Sequence, residues 1–141
     1  MASQDIDRLS SVHFSSNLVV IDLSTNCLRF VPKEIYLLTK LRVLRLANNF
    51  VEEVSPSIGN MKSLEELNLA ENRLDAIPSE IGLCTNLKSL FLHKNRLGIV
   101  PKAISGLSNL EAMSLEWFMY LDPPQQPIQK ESQARFLISQ F

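Results

Sequence analysis

The sequence predicts an α/β solenoid: a short curved arc with a parallel sheet on its concave face and short helices or turns on its convex face. Three observations predict it. Asparagines at 26, 49, 72 and 95 return every 23 residues, each behind the same Leu-x-x-Leu-x-Leu pattern. Exact periods of this length mark arrays of stacked supersecondary units. Inside the pattern, apolar and polar residues alternate over a short span, as in a strand with one buried face. An apolar-proline step and a second apolar pair then follow the asparagine at constant distances, which brings the chain back to the next strand.

A chain of 141 residues with 45% hydrophobic and 21% charged residues reads as one globular domain with a sizeable core. Its formal net charge of −1 lacks the basic stripe that nucleic acid or an anionic membrane requires. The start, Met1 to Arg8, has neither the basic flank nor the apolar run of a secretory signal, and no stretch approaches the length of a membrane span. Cys27 and Cys84 form no clustered disulfide cap, and no asparagine opens a glycosylation sequon. The expectation is a cytoplasmic protein, monomeric on its own.

Residues 1–17 stand outside the repeat. Ile6, Leu9 and Val12 fall three apart behind Ser3 and Asp5, either a candidate helix cap, so this stretch is expected to cover the first repeat's apolar edge. Residues 18–117 hold four full repeats and one partial one. The first has Leu18, Ile21, Leu23, Asn26, Leu28, Val31, Pro32 and Ile35; the second runs from Leu41 and carries Ser55 where the others have proline. The third, from Leu64, is the cleanest copy, and the fourth starts at Leu87. From Leu110 the pattern fades, with Phe118 in the asparagine slot. Residues 118–141 begin as a proline-rich linker. Ala134, Leu137, Ile138 and Phe141 then have the spacing of an amphipathic helix, predicted to fold back as a C-terminal cap.

Each repeated position has a physical role. Leu67 and Leu69 point to the same side of a strand and enter the core, whereas Asn68 faces out. Asn26, Asn49, Asn72 and Asn95 lie where the chain leaves the strand. Their amides are suited to bond backbone groups of adjacent turns, forming a structural ladder. The proline step fixes an extended backbone, and Ile81 with Cys84 suggests a helical turn on the convex side.

This 23-residue unit, with x-Leu-Pro-x-x-Ile in its second half, resembles the leucine-rich repeats of Ras-pathway scaffold proteins and of plant intracellular Ras-group relatives. The likeness covers roughly residues 18 to 115. It implies a rigid platform for protein recruitment, with a small GTPase, a kinase or a phosphatase catalytic subunit as the partner class.

No constellation of catalytic residues is legible. No glycine-rich phosphate loop occurs, His13 and His93 have no metal-ligand spacing, and no cofactor or metal is expected. Cys84 occupies a slot that holds Leu38, Met61 and Leu107 elsewhere, so it reads as a buried core thiol, and Cys27, after the ladder Asn26, reads as partly exposed and structural. The chain is therefore expected to be no enzyme.

The informative residues are those the repeat leaves free. Alternation places Asp22, Arg45, Glu66, Asn68, Phe91, His93 and Glu116 on the concave side, with Glu71, Lys94 and Trp117 at the adjoining rim. Asp22 is expected beside Arg45, and Phe91 with His93 near Glu116 and Trp117. An aromatic on a solvent-facing sheet has no folding role, and aromatics are enriched among interface hot spots. Phe91, His93 and Trp117 are thus the candidate anchor for a protein partner, and the charged residues its selectivity rim. Cover by the C-terminal cap is the competing explanation for these aromatics. Two other functions stay open from sequence: a structural assembly subunit that stacks through its ends, or the sensing fragment of a longer multidomain protein.

Overall fold

The computed structural model describes residues 13–115. The expected cap at 1–17, apart from its last five residues, and the linker and capping helix at 118–141 lie outside the described residues.

Among the described residues, five three-residue strands form one parallel sheet in chain order: β1 (Val20–Asp22), β2 (Val43–Arg45), β3 (Glu66–Asn68), β4 (Ser89–Phe91) and β5 (Ala112–Ser114). The register steps by one repeat, pairing Ile21 with Leu44, Leu44 with Leu67, Leu67 with Leu90, and Leu90 with Met113. These central residues are all buried, while their strand neighbours face out. The alternation read from the sequence is that of the strands.

The convex side carries four short 3-10 turns, Lys33–Leu37, Pro56–Asn60, Ser79–Leu83 and Lys102–Gly106. A 23-residue unit leaves room for a single tight turn there, and 3-10 pitch suits so short a piece. Pro32, Pro78 and Pro101 enter these turns with extended backbones. Ser55 holds the same conformation without a ring (φ −66°, ψ 146°), and its hydroxyl accepts the Ser57 N–H at 3.1 Å, while Pro56 opens the turn itself. Between the layers lies one continuous core, in which Leu41, Leu64, Leu74, Ile81 and Leu87 are fully enclosed.

The buried asparagines tie the turns together. Asn72 Oδ1 accepts the Val51 N–H at 2.9 Å, and Asn72 Nδ2 donates to the carbonyls of Leu46 at 2.9 Å and Leu69 at 3.0 Å. Asn49 does the same between Leu28, Leu23 and Leu46, and Asn95 between Leu74, Leu69 and Leu92. Among the described residues, Asn26 bonds only Leu23 and Ser24 of its own turn.

The residue before each ladder asparagine is left-handed: Thr25, Asn48, Glu71 and Lys94 have φ of 55–57°. This turns the chain off the strand and aims those side chains at the rim. Only Asn48 is a residue type that tolerates the region well, so three of the four positions hold strain that the ladder overrides.

Candidate protein-docking face

Three charged residues from three strands meet on the concave face. Arg45 of β2 donates from Nε to Glu66 Oε1 at 2.7 Å and from a terminal nitrogen to Oε2 at 3.3 Å, and lies 3.8 Å from Asp22 Oδ2. Asp22 is its straight-across partner in register; Glu66, two residues before the opposing Asn68, is reached on the diagonal. The Glu66 hydrogen bond is the main cause that raises the Arg45 pKa. The Asp22 carboxylate accepts the Ser24 N–H at 3.0 Å, and this bond, with Arg45 as a lesser cause, holds its pKa below the ordinary carboxylate range. The side chains are substantially exposed, so the triad adds little to stability. What it does is fix three charges, net −1, at one place on a rigid sheet.

Asn68 separates this triad from an aromatic region. Its Oδ1 accepts the Ala70 N–H at 3.1 Å, the same bond that Asp22 makes to Ser24 in this column two strands away. Phe91 in β4 takes the same column and can make no such bond; its ring is half-buried. Beside it, His93 Nδ1 shares a 2.6 Å hydrogen bond with Ser114 Oγ, where Ser114 is the register partner of Phe91. At the rim, Lys94 Nζ lies 3.9 Å from Glu71 Oε1. Glu116 and Trp117, the remaining candidates, lie outside the described residues. The face thus grades from paired charge at β1–β3 to an aromatic and imidazole surface at β4–β5.

Two features had no place in the sequence reading. Ser114 orients His93, which a serine diagonal to a histidine in adjacent strand columns would signal. Along the strand entry, Glu65 accepts from Arg42 Nε at 2.8 Å and Lys88 Nζ at 3.3 Å, with Arg42 the leading cause of its lowered pKa. One carboxylate is thus shared by two cations, which leaves that edge with a net charge of +1.

Cys84 is fully buried, its Sγ 3.2 Å from the Ile58 carbonyl, and burial pushes its thiol up to about 11. Cys27 is exposed, since the residue after the ladder asparagine points away from the core. Among the described residues no group of three or more His, Cys, Asp or Glu is placed to hold a metal ion, and no helix is long and apolar enough to cross a membrane.

The repeat geometry agrees with comparison to known proteins. A family model described as "Leucine-rich repeat region" matches residues 1–128, and the chain belongs to that family. Among solved structures it is similar to a leucine-rich-repeat protein of Leptospira interrogans, at 35% identity and a TM-score of 0.67 over 73% of this chain and 28% of that one. It is also similar to an internalin of Listeria monocytogenes, at 27% identity and a TM-score of 0.63 over 73% of this chain and 30% of that one. The chain spans under a third of the length it matches in either structure. No curated protein matches it. Domains of this family typically serve as protein–protein interaction modules and are generally not enzymes.

Proposed function

We propose that the chain is a non-enzymatic scaffold module of intracellular, cytoplasmic signalling that receives a protein partner on its concave face. Phe91 carries the reading: a large apolar ring, partly exposed on the solvent side of the sheet, next to the tethered His93. Aromatic anchors of this kind dominate interface energetics, and a fixed charge cluster beside them selects the partner. In this reading Phe91, His93 and Trp117 form the anchor, Arg45, Glu66, Glu71 and Lys94 supply charge selectivity at its edge, and Asp22, Asn68 and Glu116 complete the footprint. Terminal segments 1–17 and 118–141 flank the repeats as caps. The likeness of the 23-residue unit to Ras-pathway scaffolds favours a small GTPase, a kinase or a phosphatase catalytic subunit as partner.

The test is a quantitative pulldown with Arg45→Glu and with Phe91→Ala, each first shown to melt like the wild type. Loss of the same partner from both variants supports the docking face. Retention of every partner by both would remove the concave anchor.

A further inference from the structure

The repeat is broken at two places that meet in space. In the second and third repeats, the outer turn carries glycine where it faces the next turn. Space there is short: a Cβ on Gly82 would collide at 2.7 Å with the Ala103 carbonyl oxygen, and one on Gly59 would crowd that of Glu80 at 3.1 Å. The first repeat has Tyr36 at this position. Its ring is buried between the first and second outer turns, and its hydroxyl accepts the Ser55 N–H at 3.0 Å. Ser55 can supply that N–H because it replaces the proline of the other repeats. The two departures are thus one device: tyrosine wedges the turns apart, and serine satisfies its hydroxyl. The first two outer turns accordingly touch less extensively than the later pairs.

The wedge leaves a notch of about 190 Å³ on the convex side. Val31 and Tyr36 line it, and Phe30 and Leu37 stand exposed at its edge, 55% and 73% respectively. Lys33 and Glu53 also line it, and neither is in an ion pair among the described residues. An apolar cavity of about 150 Å³ accepts a benzene-sized ring, so this notch has room for one aromatic or branched aliphatic side chain. Phe30 and Glu53 are joined by a backbone bridge, which makes that wall rigid.

We propose that the Tyr36 notch is a second protein-docking site, which takes a single apolar side chain from an extended peptide segment of a partner. Charge complementarity defines the segment: the inserted side chain is flanked by an acidic residue facing Lys33 and a basic residue facing Glu53. This goes beyond the concave-face reading and does not depend on it, because the notch opens on the opposite surface. A module with both sites would hold two proteins at once.

The probe is a displayed library of random 12-residue peptides, selected on the full chain. Two variants remove the notch by different routes. Tyr36→Gly with Ser55→Pro restores the repeat and lets the turns close; Asn60→Trp, at an exposed lining position, fills the space without altering the wedge. Both are checked by thermal melting. The expected result is enrichment of peptides sharing an apolar residue between an acid and a base. Their binding should weaken at least tenfold on each folded notch variant and on Lys33→Glu, and hold on Arg45→Glu/Phe91→Ala. Failure to enrich any peptide, equal binding to wild type and Asn60→Trp, or occupancy by small aromatic compounds alone would overturn the proposal. Loss on Arg45→Glu/Phe91→Ala alone would do so too, since that places the peptides on the concave face.

Discussion

Replacing Asn72 by alanine isolates the ladder's contribution, because the structure says which groups lose a partner. Among the described residues, the Val51 N–H bonds only to Asn72 Oδ1, and Val51 is fully buried. The carbonyls of Leu46, Leu69 and Ala70 keep a second donor each, from Asn49, Asn95 and the Asn48 N–H. One orphaned buried donor costs about 1–3 kcal/mol, and loss of the remaining bonds adds about 1 kcal/mol net, so Asn72→Ala should destabilise by about 2–4 kcal/mol. Against a total near 5–15 kcal/mol, that is a large fraction. Asn26 is the internal control: it accepts no backbone N–H among the described residues, and Leu23 O retains Asn49. Asn26→Ala should therefore cost about 1 kcal/mol or less. Urea unfolding followed by circular dichroism measures both, with the slope checked for constancy. Equal losses in the two variants would refute the reasoning, since the difference comes from inter-turn bonds alone.

The other expectations follow from the same geometry. Leu69→Ala removes a fully enclosed side chain and should cost about 2–5 kcal/mol in the same denaturation assay. Thr25→Gly should raise stability by about 0.5–1 kcal/mol, because a β-branched residue at φ 56° is strained where glycine is not; a lower melting temperature would contradict this. An accessible-thiol titration at pH 8 should count one reactive cysteine, Cys27, with Cys84 appearing only on unfolding. Burial raises the Cys84 thiol in the folded state, so its contribution to stability is complete below the unfolded thiol's pKa. That contribution should be lost as pH rises toward and through about 11, readable as a falling urea midpoint.

The 23-residue period located the five strands because one alternating Leu-x-Leu segment per repeat admits only one register. Less of the surface was legible. Asp22 beside Arg45 is a straight-across pair that register alone predicts, whereas Arg45 with Glu66 and His93 with Ser114 are diagonal. Long side chains choose among several neighbours by reach and charge, which spacing does not encode. The left-handed residues at 25, 48, 71 and 94 were also hidden, because threonine, glutamate and lysine carry no signature of positive φ. Ser55 was visible as a departure from the repeat, but its reason lies 19 residues away in the Tyr36 hydroxyl.

The central claim is that a protein partner binds across the concave sheet. Its most direct test is the dissociation constant of the chief co-purifying protein for the wild type and for Arg45→Glu/Phe91→Ala, both folded. Docking on this face requires at least a tenfold weakening, about 1.4 kcal/mol or more. An unchanged constant would contradict it and move recognition off this face.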